Sequence, residues 1–145
     1  MDGALVDRHI GDWPHSRTQG RIISVLSCKY PNVQTLPSLT TRTRETRYRV
    51  PDVCVVLANP RTRYLLEAPF LIIEVVSEED RLSSFIEKLR EYSAMSTPHI
   101  WVVDPRLYEM FTFRSGDLLE VKGDVIATEN PRLELTRAEV FKDMD

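Results

Sequence analysis

The chain has 145 residues, 42% of them hydrophobic and 28% charged, and a net charge of −3. That is enough apolar material for one domain with its own core over residues 1–145, and too little chain for a second. An acidic chain does not hold nucleic acid through its overall charge, so any such partner has to be met by a local basic surface.

Other classes fall away on pattern. No window reaches about 18 uninterrupted apolar residues, which excludes a helical membrane span. The start, Met1-Asp2-Gly3-Ala4, carries neither a basic n-region nor an apolar h-region, so the expected setting is the cytoplasm. Cys28 and Cys54 each sit in an apolar run and lack zinc-site spacing, so both are expected as reduced core residues. There is no Gly-rich phosphate loop and no G-x-S-x-G elbow, which disfavours nucleoside-triphosphate hydrolysis and serine esterase chemistry.

In chain order, residues 4–9 read as an edge strand, and Gly11 and Pro14 as a turn. Ser16-Arg17-Thr18-Gln19 fits a capping box, after which Ile22, Ile23, Leu26 and Tyr30 recur at helical spacing. This first helix is expected to run to Lys29 and to stop before Pro31. Residues 33–42 and 47–57 read as two strands. Arg42, Arg44, Arg47 and Arg49 crowd this stretch, either as a phosphate-binding surface or as a charged edge that resists aggregation. Residues 70–76 form a strand that is apolar on both faces except at Glu74, the pattern of a central strand covered on each side.

Ser77, followed by Glu78, Glu79 and Asp80, predicts a helix start with an oxygen cap and negative charge at the positive end of the dipole. Leu82, Phe85, Ile86, Leu89 and Tyr92 mark the buried stripe of that helix. Residues 99–103 are another apolar strand. Residues 108–114 and 118–122 form a hairpin through Ser115-Gly116-Asp117, and Thr136-Arg137-Ala138-Glu139 caps a short closing helix. The expected architecture is an α/β domain with a mixed β-sheet flanked by helices and an added C-terminal hairpin.

Two carboxylates stand in costly places. Asp52 follows Pro51 at the mouth of a strand, and Glu74 lies inside an apolar one, where an unpaired charge would cost several kcal/mol. With a period of two, Glu74 shares a face with Ile72 and Val76, and Asp52 with Cys54 and Val56, so adjacent strands can aim both acids at one point. Oxygen ligands of that kind suit Mg²⁺ or Mn²⁺. At about 100° per residue, Lys88 projects at the margin of the helix stripe, on the flank of Arg81 and Tyr92, where its stem can lie on the core. Two acids and an amine meet the needs of phosphodiester hydrolysis, a metal to acidify water and a cation for the charged transition state. The plainer reading makes Asp52 a turn residue and Glu74–Lys88 a structural ion pair. His9, His15 and His99 share no ligand spacing and read as structural, while Trp13 and Trp101 read as packing residues.

Four segments carry a resemblance: Arg49-Val50-Pro51-Asp52-Val53-Cys54-Val55, then the run from Pro69 to Arg81 around Glu74, then Glu87-Lys88-Leu89-Arg90-Glu91-Tyr92, then His99-Ile100-Trp101-Val102-Val103-Asp104-Pro105. Together with Asp2-Gly3 and the His15-Ser16 helix start they resemble the Uma family of restriction endonuclease-like proteins, a branch of the PD-(D/E)XK superfamily. The resemblance implies Asp52 and Glu74 as metal ligands and Lys88 as the catalytic lysine. It also implies a Mg²⁺- or Mn²⁺-dependent endonuclease acting on nucleic acid, DNA first, and a symmetric homodimer would suit cutting of both strands. The alternative is a catalytically silent nucleic-acid-binding, regulatory or dimerisation module with the same fold.

The sequence departs from the family pattern in four places. Val76 stands where many superfamily members carry the lysine, which moves that role to the helix. Gln19 stands where some place an acid on the first helix. Met95-Ser96-Thr97-Pro98 lacks the glycine relatives carry before His99, and the chain opens directly on its Asp-Gly hairpin. Gln19, Arg81 and Tyr92 complete the candidate set as substrate contacts; the other reading pairs Arg81 with Glu78 or Glu79 and buries Tyr92 in the core.

Overall fold

The computed structural model describes the backbone of Leu5–Val6 and residues 12–144. The elements are β1 (Leu5–Val6), α1 (Trp13–Lys29), β2 (Gln34–Pro37), β3 (Thr41–Arg44), β4 (Arg47–Arg49), β5 (Val53–Val56), β6 (Leu71–Val75), α2 (Leu82–Ala94), β7 (His99–Asp104), β8 (Glu109–Arg114), β9 (Asp117–Glu120), β10 (Val125–Ala127), β11 (Glu134–Thr136) and α3 (Arg137–Phe141). Six strands form the main sheet in the order β2-β5-β6-β7-β8-β9. Only β6 and β7 run parallel, and α2 connects them, as a parallel pair requires. The sheet is therefore mixed, mostly antiparallel, and covered by helices on both faces.

Strand alternation sorts the core into two layers. Val53, Val55, Leu71, Ile73, Val75, Trp101 and Val103 face α1, α3 and the β10–β11 pair. Cys54, Val56, Ile72, Ile100 and Val102 face Phe85, Leu89 and Tyr92 of α2. Glu74 and Asp52 fall on the α2 side by the same alternation, and the register that sets Val53 opposite Ile73 carries on to bring them level.

Several expected boundaries move for identifiable reasons. α1 begins at Trp13, before the expected capping box, because Asp12 is the cap: its carboxylate accepts from the His15 amide at 3.0 Å. The stop at Lys29 is as expected. The acidic run before α2 is a turn and not its first coil. Asp80 folds back to accept from the Ser77 amide at 2.8 Å, and the helix starts at Leu82 with Arg81 as an N-cap that makes no side-chain cap bond. Leu82 is consequently 77% exposed and leaves the stripe.

The expected strand over residues 33–42 splits at Ser38, whose φ is 46°, into β2 of the main sheet and β3 of a small sheet ordered β1-β4-β3. The strand over residues 47–57 splits likewise, because Pro51 has no amide to donate to a ladder. Of the strand expected over residues 4–9, Leu5–Val6 pairs parallel with β4, and the rest lies outside the described residues. The β8–β9 hairpin forms at the sheet edge and the Thr136–Glu139 capping box closes as expected. The β10–β11 pair is additional. Cys28 is exposed and Trp13 is 63% exposed, so neither is the core residue expected; Cys54 and Trp101 are buried.

Candidate active site

Three elements meet at the carboxyl end of β6. Glu74 is 1% exposed. Lys88 reaches it from α2 with Nζ 3.0 Å from Oε1, and the Tyr92 hydroxyl donates to Oε2 at 3.0 Å. Lys88 and Tyr92 can share the acid because positions four apart lie on one helix face. Lys88 Nζ lies over the Phe85 ring, 4.8 Å from its centroid, so the ammonium is buried beside the acid and kept from solvent.

Asp52 stands on the neighbouring strand. Its backbone amide donates to Glu74 Oε2 at 3.3 Å, and its Oδ2 accepts from the Val75 amide at 2.8 Å. The two carboxylates are thus laced together through backbone N–H groups of each other's strands. His15, near the start of α1, places Nε2 3.1 Å from Asp52 Oδ2. Gln19, one helical turn on, donates from Nε2 to the Asp52 carbonyl at 2.7 Å and to Ser38 Oγ at 3.1 Å.

The electrostatics divide the two acids. Burial pushes Glu74 up, and the Asp52 charge adds to it against the pull of Lys88 and Tyr92, leaving its pKa at about 7. Burial pushes Asp52 the same way, but the His15 hydrogen bond and charge, the Val75 amide and Lys88 outweigh it and hold the carboxyl below its ordinary range. Burial would lower His15, and the bond to Asp52 reverses that, so the imidazole is raised. Burial and the Glu74 charge keep the Tyr92 phenol protonated well above its usual range. The site holds one committed carboxylate and one near its titration point, the pairing that close acids adopt.

The structure brings Asp52, Glu74, Lys88, Tyr92 and Gln19 together. It does not bring Arg81, which stays at the exposed start of α2; Glu78, offered as its partner, faces Arg106 at 3.9 Å. Gln19 touches the Asp52 peptide, and Tyr92 is fully buried against Glu74. His15 was missed by the sequence reading. Its spacing of four from Gln19 was the available signal, since it sets both side chains on one face of α1.

A second buried acid, Glu91 of α2, was also missed. Glu91 accepts from the Thr43 hydroxyl and lies 2.5 Å from Arg49 Nε and 3.3 Å from Arg47 Nε. This cluster clamps the small sheet onto α2. Burial works against its ionisation, but the Thr43 and Arg49 bonds prevail and lower its pKa.

Among the described residues no group of three or more His, Cys, Asp or Glu side chains is set to hold a metal. The donor chemistry at Asp52 and Glu74 still fits Mg²⁺ or Mn²⁺, because such ions are commonly held by one or two carboxylates and complete their shell with water and substrate phosphate. The raised pKa of Glu74 is the cost that a second positive charge would remove.

Comparison with known proteins gives a family and a fold. Residues 1–139 match the Uma2 family, described as "Putative restriction endonuclease". No curated protein matches the chain. Among solved structures, the crystal structure of a "putative nuclease belonging to DUF820" from Anabaena variabilis superposes with a TM-score of 0.78 at 18% identity, over 97% of this chain and 87% of that one. The fold is restriction-endonuclease-like. No helix among the described residues is long and apolar enough to cross a membrane.

Proposed function

This chain belongs to the Uma2 family, and we propose that it is a divalent-metal-dependent endonuclease that hydrolyses phosphodiester bonds of nucleic acid, DNA in the first place, in the cytoplasm. Asp52 and Glu74 would hold Mg²⁺ or Mn²⁺. The ion would supply an acidified water and neutralise phosphate charge. Lys88, pinned 3.0 Å from Glu74, would supply a buried cation for the negative charge that the phosphate gains. Tyr92 and the Asp52 amide fix the Glu74 carboxylate, and His15 and Gln19 fix Asp52 from the other layer.

One observation carries the reading: buried Lys88 pairs with buried Glu74 at 3.0 Å, and half-buried Asp52 of the adjacent strand donates its amide to the same carboxylate at 3.3 Å. Cutting both strands of a duplex would require two such sites, for which a symmetric homodimer is the economical arrangement.

The test is incubation of supercoiled DNA with the protein and Mn²⁺, alongside Asp52→Ala and Lys88→Ala. The wild type nicks or linearises the plasmid, Asp52→Ala falls to background, and Lys88→Ala drops by roughly a hundred- to a thousandfold. Cleavage that persists in both variants would sink the assignment. Retention of DNA without cleavage by the wild type would instead make it the silent binding module.

A further inference from the structure

The outer face of the small sheet is basic and aromatic. Thr43, Arg47 and Arg49 turn inward to Glu91, Arg42 and Tyr48 take the opposite face, and Arg44 is exposed beyond an irregularity in β3. Arg42 is the direct cross-strand partner of Tyr48. On the other side of β3, the Arg42 amide donates to the Leu65 carbonyl at 2.7 Å, and the Leu65 amide to Thr40 at 2.9 Å, so the segment holding Arg63 and Tyr64 extends the same sheet. The Tyr48 and Tyr64 rings meet edge to face at 6.5 Å, and the Arg63 guanidinium sits 5.6 Å over the Tyr64 ring. Tyr64 is 45% exposed, a large aromatic surface left in solvent.

Charge decides what this face fits. The chain is acidic overall at −3, yet Arg42, Arg44 and Arg63 stand on or beside this face against two nearby acids, Glu45 and Glu67. The partner is therefore polyanionic, and an exposed ring beside guanidinium groups is the combination that receives an unstacked base and its phosphates. Tyr48 is only four residues before Asp52, so at roughly 3.3–3.6 Å per residue the face begins within about 14 Å of the candidate site.

We propose that this face is the track that receives an unpaired stretch of the nucleic-acid substrate, with a base stacked on Tyr64 and phosphates on Arg42 and Arg44. The inference rests on the nuclease reading and adds to it a substrate class, strands with unpaired bases. A paired base offers no free face to the tyrosine, so a duplex can use only the charges.

The test measures binding of fluorescein-labelled oligothymidine, oligouridine and a duplex by anisotropy, with metal chelated to prevent cleavage. The single strand should bind more tightly than the duplex, and Tyr64→Ala should weaken the single strand by about five- to a hundredfold. Tyr64→Phe, which keeps the ring, should bind as wild type, and this guards against an effect of misfolding. The double variant Arg42→Gln/Arg44→Gln should lower the slope of log K against log salt by about 1.4, two phosphates at about 0.7 each for single strands. Oligothymidine and oligouridine report whether DNA or RNA is preferred. Equal or tighter binding of the duplex, or a Tyr64→Ala variant that binds as wild type, would overturn the proposal. If plasmid cleavage still occurs in that case, the nuclease reading stands without it; if cleavage fails while these variants behave as stated, the surface stands and the enzyme does not.

Discussion

Helix α2 meets two buried acids, its own Glu91 and Glu74 of β6, and they are tuned in opposite directions. At Glu91, two guanidiniums and the Thr43 hydroxyl surround one carboxylate, and its pKa falls. At Glu74, one ammonium and one phenol face two carboxylates, and the pKa rises to about 7. Both side chains are nearly closed to solvent, but at Glu74 burial and the Asp52 charge prevail, whereas at Glu91 the Thr43 and Arg49 bonds prevail. The first cluster is saturated and holds the small sheet in place. The second sets two acids beside one ammonium, the charge pattern that the proposed ion would complete.

The comparison breaks most directly at Glu91. Glu91→Ala breaks the buried ion pair with Arg49 and should destabilise the fold by about 3–5 kcal/mol in thermal or urea unfolding. If the loss stays within about 0.5 kcal/mol, the range of an ordinary surface substitution, the cluster is not the clamp described.

Stability against pH should then separate the two acids by sign. For Glu91, folded pKa below the unfolded value of 4.5 means its contribution is full above that value and is lost as pH falls through the folded pKa. For Glu74, between 4.5 and about 7 the folded state keeps a proton that the unfolded chain has released, so its contribution is full below 4.5 and is lost as pH rises through about 7. Mn²⁺ should restore that loss, raising the melting temperature more at about pH 8 than at about pH 6, because ligands must be deprotonated to bind. A Mn²⁺-induced rise that is the same at both pH values would contradict the assignment of Glu74.

His15→Ala is expected to be milder. It removes a group that orients Asp52, and losses of about 10- to 100-fold in metal affinity or cleavage rate are usual for such partners. A loss as deep as that of Asp52→Ala would give the imidazole a direct role. The smallest effect belongs to Tyr92→Phe: about 0.5–1.5 kcal/mol for one hydrogen bond, with the Glu74 pKa moving further up because the phenol that favours its charged form is gone. A downward move would mean that Tyr92 does not stabilise the carboxylate.

How much of this was legible in the sequence follows from the range of each interaction. The central strands, the α2 stripe and the alignment of Asp52, Glu74 and Lys88 rest on periods of 2 and 3.6, which local spacing records. The split strands were not legible, since a run of strand-forming residues does not say that Ser38 and Pro51 pass the chain from one sheet to another. Nor was the start of α2, because Ser77 and Asp80 make the same bonds in a tight turn as they would in a cap. His15 and Glu91 were missed for a common reason: their partners lie 37 and 42 residues away, at Asp52 and Arg49, so only the fold brings them together.

The most direct measurement of the central claim is calorimetric titration of Mn²⁺ into the wild type and Glu74→Gln at about pH 8, where the wild-type acid is ionised. The wild type should bind at that pH and release more protons to buffer when the titration is repeated at about pH 6, and the variant should lose that binding while keeping its fold. Equal binding by both proteins, or none by the wild type, would contradict the account.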